Sequence, residues 1–140
     1  MPSPRRQDPT SNLRLGVDLV DVHAIEDSLA EFGDRFVHRI FSTHEVEVSS
    51  GSPKRLAARF AAKEALIKAL DLAEIGVDWR NIEVRGDAAG RPGMRLAGNV
   101  AARARELGAH DILLSMSHEG SLAMATVIAQ IRPMEPAATG

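Results

Sequence analysis

The sequence predicts an α+β fold, an antiparallel sheet packed with helices, on three observations. Leu13, Leu15, Val17 and Leu19 alternate with Arg14, Gly16 and Asp18, the period of a strand with one buried face. The stretch RFAAKEALIKAL, residues 59–70, has helical spacing. Two apolar runs, 112–117 and 122–131, flank the tight connection His118-Glu119-Gly120-Ser121 and read as a β-hairpin. Helices and antiparallel strands alternate without the regular rhythm of a parallel βαβ sheet.

Residues 1–12 are rich in proline, serine and charge and read as a disordered leader. Their two arginines are followed by no apolar run, so a secretory signal is not expected. After the first strand, Asp21 can cap a helix over 22–41, with a break at Gly33. SSGSP is a loop, and Pro53 suits the first turn of the next helix. On that helix Leu56, Phe60, Lys63, Ile67 and Leu70 share one face, so an ammonium group interrupts an apolar stripe. Gly76 lies beyond its end. Short strands over 81–85 and 94–96 surround the turn GDAAGRPG. An Ala-rich helix over 98–107 closes at Gly108, and 132–140 read as a loose tail. The folded unit is one domain, 13–131.

Apolar residues make up 44% of the 140, but aromatics only 4%. The core must therefore use small side chains, which favours close-packed helices or burial against a partner subunit. With no cysteine, disulfides and thiolate metal sites are excluded. A formal charge of −2 gives no general attraction to nucleic acid. No stretch is long and apolar enough to span a membrane. A cytoplasmic domain is expected.

Four places carry candidate chemistry. Asp18 is a poor strand former two residues after Gly16; it is either a strand-end turn residue or a carboxylate aimed into a cleft that Gly16 keeps open. Glu64 and Lys68, at i,i+4, make either a surface ion pair worth about 0.2–0.5 kcal/mol or part of a site. Arg55, Arg59 and Lys63 form a basic ridge along the same helix. Solvated, it is an ordinary charged face; beside a carboxylate, it suits phosphates and a shared Mg²⁺, which takes one or two carboxylates plus phosphate and water oxygens. Asp18 and Glu64 are the two carboxylates available. His118 at the hairpin tip is exposed or structural unless a ligand reaches it. Ser117-His118-Glu119 is no hydrolase triad, because adjacent residues cannot form that geometry. The turn AAGRPG offers main-chain contacts to a ligand.

In order along the chain, GVDLVDV, RFAAKEALIKAL, DAAGRPGMRLAG and LSMSHEGSLAMATVI resemble the small 4'-phosphopantetheinyl transferases of the holo-acyl-carrier-protein synthase type. The likeness covers about 13–131. It implies transfer of the phosphopantetheine arm of coenzyme A to a serine of an apo-acyl carrier protein, or of a carrier domain of a fatty acid or polyketide synthase. Adenosine 3',5'-bisphosphate is the other product. It further implies Mg²⁺ on Asp18 and Glu64, and Glu64, Lys68 and Asp18 as the catalytic set. Coenzyme A would meet Arg59, Lys63, Lys68, Gly90, Pro92 and His118. A homotrimer with sites between subunits is implied as well. For the serine proton, Glu45 or a water on the metal is the base. The carrier-facing region after the first strand departs from the usual basic pattern: Glu26, Asp27, Glu31 and Asp34 leave Arg35 and Arg39 as its cations. The competing readings are a Mg-dependent coenzyme A or nucleotide phosphohydrolase, and a non-catalytic coenzyme A-binding module.

Overall fold

A computed structural model describes residues 12–132. Apart from Asn12 and Arg132, the expected leader and tail lie outside the described residues. The elements run β1 (Leu13–Asp21), α1 (Val22–Phe32), α2 (Asp34–Ile40), α3 (Thr43–Ser49), α4 (Pro53–Leu70), a 3₁₀ turn (Trp79–Asn81), β2 (Ile82–Gly86), β3 (Pro92–Leu96), α5 (Gly98–Leu107), β4 (Ala109–Glu119) and β5 (Leu122–Ile131). One antiparallel sheet has the order β1-β5-β4; β2 and β3 form a separate hairpin. The α+β expectation holds, and α5 and β5 match their expected bounds.

Several local signals act as read. The Asp21 side chain caps α1 by accepting from the His23 amide. Gly33, at φ 54°, separates α1 from α2. Ser52 caps α4 through the Arg55 amide, with Pro53 at the helix start. The sequence reading missed α3. Its signal was present in Ser42-Thr43-His44-Glu45: Ser42 accepts from the Glu45 amide while Glu45 accepts from the Ser42 amide, a reciprocal capping box.

The long helix α4 lies across the three-stranded sheet and packs on β1, β5 and β4. Its buried surface is mostly small: Ala57, Ala58, Ala61, Ala62, Ala65 and Ala69. The sheet answers with Ala123, Ala125, Val127 and Ala129, all fully buried. Short side chains on both surfaces bring the backbones close. At Gly16 the approach is extreme, since a Cβ there would stand 1.8 Å from the Ala65 carbonyl oxygen. The room that Gly16 leaves is filled by the backbone of α4.

This contact reverses the facing expected for β1. Gly16 pairs with Val127, Asp18 with Ala125 and Val20 with Ala123. The register therefore turns Arg14, Gly16, Asp18 and Val20 toward α4. Leu13, Leu15, Val17 and Leu19, expected to be buried, lie on the open side of the sheet at 50–65% exposure. Alternation identified the two faces correctly, but apolar character did not identify the one covered within the chain.

Gly16→Ala should destabilise the fold by about 3 kcal/mol or more, the upper end for an overpacked core, because the obstacle is main chain and cannot rotate away. A thermal melt against the wild type measures this. A loss under about 1 kcal/mol would mean that α4 does not sit this close to β1.

Candidate active site

The β1–α4 contact brings together three charged residues from distant parts of the sequence. Asp18 projects from β1 on the α4 side, and α4 supplies Glu64 and Lys68. The Lys68 ammonium donates to Asp18 Oδ1 at 3.0 Å and to the Val17 carbonyl at 3.1 Å. The simple i,i+4 pairing of Lys68 with Glu64 therefore gives way to a bond across to the sheet. The Lys68 side chain is 54% exposed, so the pair contributes at most about 1 kcal/mol to stability.

Glu64 is half-buried beside this pair. Burial raises its pKa above the ordinary carboxylate value, the neighbouring Asp18 charge raises it further, and Lys68 works in the opposite direction. A carboxylate whose ionisation is opposed by a second carboxylate beside it belongs to a donor set that a hard cation would relieve. Among the described residues, no group of three or more His, Cys, Asp or Glu is placed to hold a metal. Two carboxylates completed by substrate and water oxygens are what Mg²⁺ accepts, so Asp18 and Glu64 fit that ion.

Lys63 needs correction. It does not face outward toward a phosphate; it is fully buried. Its ammonium donates to Glu45 Oε1 at 2.7 Å, to the Ile40 carbonyl at 2.7 Å and to the Trp79 carbonyl at 3.1 Å. Three acceptors use all three of its protons. It also lies 5.5 Å from the centre of the Phe41 ring. Burial lowers its pKa, and Glu45 opposes that shift. Glu45 needs the same correction as a candidate base. It is fully buried, with Oε1 on Lys63 and the Ser42 amide and Oε2 on the Val84 amide at 2.8 Å. With both oxygens bonded and the residue fully buried, neither is open to a serine proton.

The remaining expected contacts are spread around this centre. Arg59 is half-buried on α4, with Nη1 donating to the Arg55 carbonyl at 3.1 Å and Nε buried without a partner. Burial lowers its pKa; Glu45 opposes that shift and Arg55 adds to it. His118 is exposed on β4, paired with Ala123 and hence in the row next to Asp18 on the same sheet face. Gly90, at φ 80°, and Pro92 are exposed at the β2–β3 turn, where Asp87 Oδ1 accepts from the Ala89 and Arg91 amides. The structure thus bonds Lys68 to Asp18 with Glu64 near enough to feel both charges, sets His118 one row away, and puts Gly90 and Pro92 on a separate hairpin.

A half-open depression of ≈ 430 Å³ adjoins the same helix. Phe32, Arg35, Phe36, Arg39, Phe60 and Trp79 contribute to its lining. Phe60 stacks on Trp79 with centroids 5.2 Å apart and planes 15° from parallel. Phe60, Glu64 and Lys68 follow at i,i+4 along α4, each step advancing about 6 Å. The depression and the carboxylates therefore occupy successive turns of one stripe.

A family model described as the 4'-phosphopantetheinyl transferase superfamily matches residues 14–127. The holo-(acyl-carrier-protein) synthase of Paramagnetospirillum magneticum is 47% identical over 128 residues, covering 85% of this chain and 96% of that protein. The synthase of the same name from Sinorhizobium medicae is 42% identical over 132 residues, covering 88% and 94%. The solved ACPS–CoA complex of Chronobacterium ammoniagenes superposes with a TM-score of 0.77 at 32% identity, covering 87% of this chain and 99% of that one.

The electrostatics give a signed prediction. Followed by carboxylate ¹³C NMR without metal, Glu64 should titrate lower in Asp18→Asn than in the wild type and higher in Lys68→Met. Because the folded pKa is raised, this group's stabilising contribution is full below the unfolded carboxylate pKa and is lost as pH rises through the folded one. A Glu64 titration unaffected by Asp18→Asn would mean that the two carboxylates do not share a site.

Proposed function

The chain belongs to the 4'-phosphopantetheinyl transferase superfamily, and on that premise we propose that it is a cytoplasmic, Mg-dependent holo-acyl-carrier-protein synthase working through Asp18, Glu64 and Lys68. It moves the 4'-phosphopantetheine arm of coenzyme A onto a serine of an apo-acyl carrier protein or carrier domain. The observation that carries the site assignment is the meeting of the β1 and α4 carboxylates beside the Lys68 ammonium. The transferase unit is the domain 13–131.

The reaction is phosphoryl transfer, in which positioning and charge neutralisation supply most of the catalysis. The serine oxygen forms a bond to the pantetheine-side phosphorus as the pyrophosphate bond breaks. Adenosine 3',5'-bisphosphate departs, and the serine proton passes to a water molecule and so to solvent. Asp18 and Glu64 would hold the Mg²⁺, which would withdraw charge from the pyrophosphate. Lys68, exposed and tethered only at the rim, can leave Asp18 for a phosphate oxygen as charge builds on the leaving group. Arg59, His118 and the Gly90–Pro92 turn are proposed to contact the nucleotide. Lys63 is withdrawn from that set by its burial.

The carrier is proposed to dock over the depression on α1, α2 and α4. Arg35 and Arg39 offer cations to an acidic carrier helix, and Phe32, Phe36 and Phe60 offer apolar contact. The exposed Glu26, Asp27, Glu31 and Asp34 nearby disfavour a strongly acidic partner. A carrier domain of a multienzyme synthase, with a less acidic face, suits this surface.

Assembly into a homotrimer completes the proposal. Its support is the uncovered sheet face, where Leu13, Leu15, Val17, Leu19, Leu113 and Met124 stand exposed. A contiguous apolar face of this kind marks an interaction surface. A three-fold ring buries such faces while closing on itself.

Intact mass of an apo-carrier, before and after incubation with coenzyme A and Mg²⁺, tests the reaction. Asp18→Ala and Glu64→Ala should each abolish the mass gain while the circular dichroism spectrum is retained. Lys68→Ala should lower turnover by roughly tenfold or more with a nearly unchanged melting temperature, as an exposed pair requires. Coenzyme A hydrolysis with no gain in carrier mass would replace this reading with a phosphohydrolase.

For assembly, light scattering should give a trimer, and Leu15→Asp should dissociate it. Inactive Asp18→Ala mixed with inactive His118→Ala or Arg59→Ala should regain activity after dissociation and reassociation, if neighbouring subunits complete each site. A fully active monomer would exclude the shared site.

A further inference from the structure

The Lys63–Glu45 pair is buried, hydrogen-bonded at 2.7 Å and unused by the proposed chemistry. Stability alone is a weak reason for it, since apolar residues often replace a buried ion pair without loss. What distinguishes this pair is the set of groups it ties together. Ile40 is the last residue of α2, and its carbonyl is one of those a helix end leaves unsatisfied. Trp79 opens the 3₁₀ turn. The carbonyls of both accept from Lys63, and both residues line the depression. Through Glu45 the same ammonium reaches the Ser42 amide at the start of α3 and the Val84 amide on β2. Four elements are thus referenced to one side chain on α4, and the next residue in the chain is Glu64.

We propose that Lys63 and Glu45 are positioning residues that hold the walls of the depression in register with the Asp18–Glu64 carboxylates, so that a docked carrier presents its serine to the reacting phosphate. This rests on the reading of the depression as the carrier's seat. The ordering is physical. Moving the Ile40 or Trp79 wall relative to Glu64 requires breaking a hydrogen bond at the buried Lys63 side chain. Misplacement of reacting groups by about 1 Å costs up to about 100-fold in rate. Coenzyme A, placed at the metal end of α4, should be nearly indifferent to the same loss.

The test is a split between the two substrates. The double variant Lys63→Met/Glu45→Met removes both buried charges and keeps apolar volume. It should remain folded, lower kcat/KM for the apo-carrier by roughly 10- to 100-fold and leave the KM for coenzyme A within about twofold. Trp79 is the only tryptophan, so its emission reports on the wall directly and should shift to the red in the variant. Should the double variant fail to fold, the isosteric Glu45→Gln must show the same bias against the carrier and the same shift. Equal losses for both substrates, or unchanged carrier kinetics in a folded variant, overturn the positioning role. Phe60→Ala is the control for the seat. If it weakens the carrier reaction while the Lys63 and Glu45 variants do not, the positioning role alone fails. If Phe60→Ala has no effect on the carrier, the seat itself is wrong and the positioning role falls with it.

Discussion

The close seating of α4 on the sheet is the constraint from which the site follows. Glycine at position 16 and alanine or valine at positions 123, 125, 127 and 129 let a helix backbone approach a strand backbone almost to contact. A larger side chain at any of these places would lift the helix and separate Glu64 and Lys68 from Asp18. Side-chain volume is given up for proximity, which explains a core with so few aromatics. The charged cluster sits where the helix crosses β1, and its two carboxylates belong to elements that meet nowhere else in sequence.

The helix has two very different lysines five residues apart. Lys68 lies at the rim, half in water, with a partner it can exchange. Lys63 lies inside, with every proton committed. The same residue type is therefore exposed with one carboxylate partner at one position and buried with three acceptors at the other. The difference is set by which side of α4 each occupies: the sheet edge for Lys68, the wedge of α2, α3 and the 3₁₀ turn for Lys63. Glu45 is fixed along with Lys63, since its capping bond at α3 and its bond to Lys63 are carried by the same carboxylate.

Much of this arrangement was legible in the sequence because it is written in local chemistry. The Asp21 cap, the Gly33 break, the Pro53 start and the hairpin before β5 are short-range signals that tertiary packing does not override. The family motifs also marked Asp18, Glu64 and Lys68 as one set, although spacing alone could not bring a strand and a helix together. Two things were not legible. The facing of β1 depends on which sheet surface α4 covers, and alternation is symmetric with respect to that choice. The fate of Lys63 depends on Glu45, eighteen residues upstream on a helix that was overlooked despite its capping-box pattern. A lysine within an apolar stripe can snorkel outward or be matched by a buried acid, and only the partner decides between them.

The uncovered face of β1-β5-β4 has a consequence for the life of the chain before it meets any partner. β1 and β4 are the outer strands of this sheet, and β1 carries leucine or valine at every second position on its open side. An extended apolar edge of this kind is a template for indiscriminate strand pairing. Any partner that covers this face stabilises the fold by mass action, so resistance to heat should rise with that partner's concentration.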